Sequence, residues 1–237
     1  MKYSSSLERA QITEIFSSLQ GEGPRMGQRH IFIRFEACHL SCDYCDERGK
    51  RGKAMSLVQV LRAVDRLEKK EGPHAFVCLT GGEPLFCETF LVPLCRALRK
   101  RKFKILLETN GILLPALKKV LRFCDLIAMD LKLPSVGGGK DFLEEHVKFL
   151  KIAKAKETYI KIVASRKIDR HEYAAHLKAV AAITPKVPVF LQPVSRRGKR
   201  YPDFGLMGLL NSLQFMGRKQ IPDIRVGIQL HKILNIR

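Results

Sequence analysis

Three cysteines within eight residues constrain this chain more than any other feature. They form the stretch Cys38-His-Leu-Ser-Cys42-Asp-Tyr-Cys45, a C-x3-C-x2-C triplet that follows the apolar run Ile31-Phe-Ile-Arg-Phe. Thiolates are soft ligands, and such close spacing suits one iron–sulfur cluster better than it suits disulfides. A 4Fe–4S cubane held by three cysteines leaves one iron without a protein ligand, open to a chelating small molecule. Zinc is the alternative. A structural zinc site wants four closed ligands, and with no fourth cysteine nearby the candidates are His39 and His30.

The remaining cysteines, Cys78, Cys87, Cys95 and Cys124, are scattered among apolar neighbours and read as buried, inert thiols. At 237 residues and 46% hydrophobic composition the chain fits one large domain with a substantial core. No apolar run approaches the length of a membrane span, and Met1-Lys-Tyr-Ser-Ser-Ser lacks the apolar stretch of an export signal. A cytoplasmic protein is expected, in a compartment reducing enough for a low-potential cluster. The formal charge of +20 concentrates at Arg48–Lys53, Arg99–Lys104 and Arg196–Arg200. Those runs lack interleaved aromatics, so a solvated surface is favoured over nucleic-acid contact.

Along the chain, short apolar runs alternate with amphipathic stretches. Ile12–Phe16, Arg29–Phe35, Phe76–Leu79, Phe103–Leu107, Leu126–Met129, Tyr159–Val163, Val187–Leu191 and Ile224–Ile228 read as strands. Helices are expected over 57–70, behind the capping box Ser56-Leu-Val-Gln59, and over 88–101, 113–122 and 203–216. Asp141 and Asp169, each with Glu three residues on, are expected to cap two more. The three glycines of Ser135–Lys140 suggest a flexible connection and a lid. Strand–helix–strand units imply parallel strands with right-handed crossovers. The chain is too short for eight such units, so an incomplete α/β barrel of about six parallel strands, open at one side, is expected, with polar groups gathered at the strands' C-terminal ends. No repeat or low-complexity linker divides residues 1–237.

Cys38, Cys42 and Cys45, with Tyr44 just before the last cysteine, resemble the cluster motif of the radical S-adenosylmethionine (SAM) enzymes. In that superfamily the open iron is chelated by SAM, whose cleavage yields a 5′-deoxyadenosyl radical. Thr80-Gly81-Gly82-Glu83-Pro84, after a strand, resembles the superfamily's motif for the SAM amino group. The likeness narrows with Leu19-Gln20-Gly21-Glu22-Gly23, Arg34 and Cys45-Asp46, which resemble the 7-carboxy-7-deazaguanine synthase family of deazapurine (queuosine) biosynthesis.

The resemblance implies a carbon–nitrogen lyase that converts 6-carboxy-5,6,7,8-tetrahydropterin to 7-carboxy-7-deazaguanine and releases ammonia. It implies a 4Fe–4S cluster on Cys38, Cys42 and Cys45. SAM is expected on Tyr44, Gly82, Glu83, Thr109, Asn110, Asp130, Leu131, Lys132, Gln192, Pro193, Val194 and Ser195. Substrate is expected on Leu19, Gln20, Gly21, Glu22, Arg34 and Thr80, and on the terminal carboxylate of Arg237. Segments 18–24, 36–53 and 203–237 then serve as substrate loop, cluster loop and closing segment. Gln229-Leu-His231-Lys232 is a further family feature. A homodimer and an external flavodoxin- or ferredoxin-type electron donor are expected, without membrane or nucleic acid. The family's threonine after Cys-Asp helps to place magnesium. Glu47 stands there instead, and its hard carboxylate either ligates Mg2+ or turns to solvent beside Arg48. The rivals are an activase that generates a glycyl radical on a partner protein and a metal-containing RNA-binding module.

Overall fold

Ser56 caps the helix Leu57–Glu71 (α1) as its spacing to Gln59 requires. Its hydroxyl accepts the Gln59 N–H at 3.3 Å, and the Gln59 amide oxygen accepts the Ser56 N–H at 2.8 Å. Val60, Leu61 and Val64 form the buried stripe that lets α1 cover a sheet. The computed structural model describes residues 9–195 and 203–236. Within them the sheet consists of β1 (Arg9–Leu19), β2 (Arg29–Phe35), β3 (Lys53–Ser56), β4 (Phe76–Gly81), β5 (Ile105–Thr109), β6 (Leu126–Asp130), β7 (Glu157–Ala164), β8 (Val189–Pro193) and β9 (Ile224–Val226). The order is β3-β1-β2-β4-β5-β6-β7-β8-β9. From β2 through β4 to β9 the strands run parallel, and β1 and β3 are antiparallel additions at one edge. The sheet ends at β3 and β9 without closing. This is the open, incomplete barrel that the alternation implied, with seven parallel strands instead of about six.

Three local expectations need correction. Residues 134–137 form a short helix, and Ser135 is tied down by Glu172, whose carboxylate accepts its hydroxyl at 3.0 Å and its N–H at 3.1 Å. The start of that segment is therefore an anchored connection. Asp141 does not cap the helix Leu143–Ala153, where Phe142 is the N-cap; it accepts the Leu143 N–H at 2.8 Å in a local turn that precedes the helix. β3 was not anticipated, because four residues with no alternation became a strand only by pairing with Arg9–Ile12. Asp169 caps Arg170–Ala181 as expected. No helix among the described residues is long and apolar enough to cross a membrane.

Alternation along each strand decides which layer a side chain meets. Val77, Leu79, Ile105, Leu107, Ile127, Met129, Ile160, Ile162, Val189 and Leu191 face the helices and are fully buried. The intervening residues build a second apolar cluster on the other face, from Phe16, Phe32, Phe76, Cys78, Leu106, Leu126, Ala128, Tyr159 and Phe190. Two residues further along the same register the chemistry changes. Phe32 gives way to Arg34, Cys78 to Thr80, Leu106 to Glu108, Ala128 to Asp130, Tyr159 to Lys161 and Phe190 to Gln192. An apolar floor therefore carries one polar side chain from each of six adjacent parallel strands, at their C-terminal ends.

Candidate active site

All six of these polar residues line a single cavity, and the loops that follow the strands supply its walls. Cys38, Cys42 and Cys45 line it too, as free thiols. The loop that bears them is held in part by its own backbone and by Arg48. Cys45 donates its N–H to the Cys42 carbonyl at 3.2 Å. Arg48 donates to the carbonyls of Ser41 and Cys42 at 2.6 and 2.7 Å. Burial raises the Cys38 thiol above its ordinary pKa, and the neighbouring cysteines add to that, although the Leu40 N–H opposes it. Neither histidine weighed as a fourth ligand completes a zinc site. His30 lies at the far end of β2, against Phe32 and Phe76, and His39 packs on Phe86. Among the described residues no three His, Cys, Asp or Glu side chains close around a single ion. Three soft thiolates on one cavity wall, with no fourth, are the donor set that a site-differentiated cubane requires.

Gly81 and Gly82 bring β4 against the root of this loop. Gly82 donates its N–H to the Phe35 carbonyl at 2.6 Å, and Glu83 donates to the Ala37 carbonyl at 2.7 Å. Gly82 faces the cavity, but the Glu83 side chain does not. Its carboxylate is fully buried, accepting Leu85 N–H at 3.1 Å, Thr109 Oγ1–H at 2.8 Å and Asn110 N–H at 2.7 Å. Burial pushes its pKa up to about 7 despite those donors. The carboxylate expected to meet SAM is here a strut that fixes Thr109 and Asn110, which do line the cavity. Leu131 is likewise core: its side chain is buried, and its N–H donates to the Lys161 carbonyl at 2.8 Å. Arg237 lies outside the described residues. Tyr44, Asp130, Lys132, Gln192, Pro193, Val194 and Ser195 come together as expected, and so do Leu19, Gln20, Gly21, Glu22, Arg34 and Thr80.

The Gln20–Glu22 loop is knitted to the sheet. Gln20 donates to Glu108 Oε1 at 3.1 Å, and Thr80 donates to Glu108 Oε2 at 2.7 Å. Glu22 receives Lys161 at 2.9 Å, Gln192 at 2.8 Å and Gln229 at 2.7 Å. Burial alone would raise the Glu22 carboxyl, but Lys161 and the two amides outweigh it and hold it below its usual range. Asp130 follows the same logic between Lys132 at 2.8 Å and Lys161 at 3.1 Å. Lys132 also sits over the Tyr44 ring at 5.3 Å, which joins β6 to the cluster loop.

Arg34 stacks on Phe16 at 4.7 Å and meets Glu14 at 3.1 Å and Glu47 at 3.7 Å. Glu47 lines the cavity and does not turn to solvent. Its Oε1 pairs with Lys50 at 2.6 Å, and its buried Oε2 has no hydrogen-bond partner among the described residues.

Several cavity-lining positions were given no ligand role by the sequence reading. Glu108, Lys161 and Asp46 line the cavity, as do Gln229 and His231. The strand register, polar after apolar at the same parity, was the signal available for Glu108 and Lys161. For Gln229 and His231 the pointer was the family feature Gln229-Leu-His231-Lys232, which by itself placed neither on the cavity. Leu230 donates its N–H to the Gly21 carbonyl at 3.0 Å, and Lys232 reaches both Asp46, at 2.8 Å, and the Ser195 hydroxyl. Gly21 has no side chain because a Cβ there would collide with the His231 ring.

With this geometry in view, comparison with known proteins is informative. Residues 32–180 match the Radical SAM superfamily. The chain is 33% identical to the 7-carboxy-7-deazaguanine synthase of Geobacter sulfurreducens, over 95% of this chain and 97% of that one. It is 32% identical to the enzyme of the same name from Methanopyrus kandleri, over 94% and 93%. The crystal structure of QueE from Escherichia coli shares the fold, with a TM-score of 0.57 at 24% identity, over 79% of this chain and 85% of that one.

Proposed function

The chain belongs to the 7-carboxy-7-deazaguanine synthase family of the radical SAM superfamily, and from that membership we propose that it converts 6-carboxy-5,6,7,8-tetrahydropterin to 7-carboxy-7-deazaguanine with release of ammonia. The observation that carries the reading is the shared cavity: the three thiols, the glycine pair and the Gln20–Glu22 loop form its walls. Cys38, Cys42 and Cys45 hold the 4Fe–4S cluster. SAM is held by Tyr44, Gly82, Thr109, Asn110, Asp130, Lys132 and the strand end Gln192–Ser195. Bound there, cluster and SAM would supply one-electron radical chemistry to the cavity.

The chain's own residues hold the substrate and exclude water. Arg34 offers a planar fork to the pterin carboxylate, with Phe16 fixing its plane. Glu108, oriented by Gln20 and Thr80, presents acceptor oxygens to a ring rich in N–H donors. Glu47 Oε2 is the oxygen assigned to Mg2+. Residues 1–237 act as one unit closed by segment 203–237, as a cytoplasmic homodimer reduced by a flavodoxin- or ferredoxin-type donor. An activase acting on a protein would have no use for a carboxylate fork and a polar floor inside a cavity, and the family match runs against an RNA-binding module.

The test is anaerobic reconstitution with SAM, reductant and the carboxytetrahydropterin. An ultraviolet-absorbing deazaguanine product is expected, and it is lost in Cys42→Ala. Formation of 5′-deoxyadenosine without that product would reject the substrate and keep the superfamily.

A further inference from the structure

Lys161 touches both binding walls of the cavity. Its Nζ lies 2.9 Å from Glu22 Oε2, on the substrate loop, and 3.1 Å from Asp130 Oδ1, at the end of β6. The remaining oxygens of these acids are engaged as well, Glu22 Oε1 by Gln192 and Gln229, and Asp130 Oδ2 by Lys132. Every carboxylate oxygen therefore has a partner inside the protein, so the two acids are fixed in place in the walls that carry them. The three side chains are only 12 to 22% exposed. An ammonium between two such carboxylates sets their separation, because without it Glu22 would face Asp130, still paired with Lys132, across a poorly solvated space.

We propose that Lys161 is a positioning residue that holds the substrate loop through Glu22 and the SAM side through Asp130, so that both walls share one geometry. The inference rests on the assignment of those walls made above. A bland alternative is that Lys161 merely neutralises two acids and supports the fold.

The experiment uses the cluster-loaded chain under anaerobic conditions and measures the Kd of SAM and of the carboxytetrahydropterin separately. Lys161→Met is expected to weaken both ligands by about tenfold or more, within the usual range of energetic coupling between sites. Lys161→Arg restores both to within about threefold of wild type. Glu22→Gln, which leaves Lys161 on Asp130, weakens the pterin alone, and the pair Glu22→Gln/Lys161→Met binds pterin no worse than Lys161→Met. Should Lys161→Met fail to fold, Lys161→Gln and the Glu22→Gln asymmetry decide instead. Wild-type affinities in a folded Lys161→Met or Lys161→Gln protein would overturn the proposal. Equal effects of Glu22→Gln on both ligands, or additive losses in the double variant, would also overturn it. A wild-type chain that binds SAM but not the pterin refutes the substrate reading alone, and the SAM affinities of the Met and Arg variants still decide the role of Lys161.

Discussion

Replacing Gly82 by alanine tests the claim that the cluster loop is registered against β4 by backbone contact. A Cβ on Gly82 would collide with the Ala37 carbonyl oxygen and lie 2.7 Å from that of Glu36. Both obstacles are main chain, so no rotamer change relieves them. Overpacking of this kind costs about 1–3 kcal/mol. Separating the strands also stretches the bonds from Gly82 N–H to Phe35 and from Glu83 N–H to Ala37, each worth about 1 kcal/mol net. The sum is about 3–5 kcal/mol, and at about 2–4 °C per kcal/mol for a domain of this size the melting temperature should fall by about 10 °C. Because Cys38 follows Ala37 directly, iron and sulfide bound after reconstitution should fall as well. Gly208→Ala is the control: nothing lies within 4 Å of a Cβ there, in the helix Met207–Gly217, and the change should stabilise by about 0.5–1 kcal/mol. Calorimetric melting and iron analysis of both variants decide the matter. A Gly82→Ala protein that melts within about 2 °C of wild type and loads iron fully would refute the reasoning.

Other perturbations follow from the same geometry. His146 is buried, donates Nε2–H to the Asn110 carbonyl at 3.0 Å, and is pushed by burial down to a pKa of about 4. Between that value and the ordinary 6.5 the unfolded chain takes up a proton that the folded one refuses, so stability falls as pH drops through this window. Wild type should lose about 2 kcal/mol more than His146→Gln between pH 7 and pH 5; equal shifts in urea midpoint would contradict this. Arg34→Lys keeps the charge and loses the fork, so carboxytetrahydropterin affinity should fall by about tenfold or more in a direct binding assay. Unchanged affinity would remove Arg34 from the substrate site. Arg48→Met deletes the clasp on Ser41 and Cys42. Its melting temperature should barely move, while a chelator strips iron several times faster than from wild type; identical stripping rates would show the clasp to be idle.

The comparison of reading and structure divides along physical lines. Helix caps at Ser56 and Asp169 were legible because a cap involves residues three apart, whose distance the backbone sets by itself. The parallel order of the sheet was legible because a strand–helix–strand repeat has few ways to bury its apolar faces. β3 was not, since a strand made only by its partner leaves no pattern of its own.

The site divides in the same way. Cys38, Cys42 and Cys45 line one cavity because eight residues of loop cannot carry them far apart. Which carboxylates face the cavity was a tertiary decision. Glu83 turned away into a ring of donors on the next strand, Leu131 turned into the core, and Glu22 was claimed by Lys161, Gln192 and Gln229, which lie 139, 170 and 207 residues further on. A side chain's partner at that range depends on how the strands register against one another. Spacing along the chain therefore determined the chemistry the molecule carries, and folding decided which groups are left to perform it.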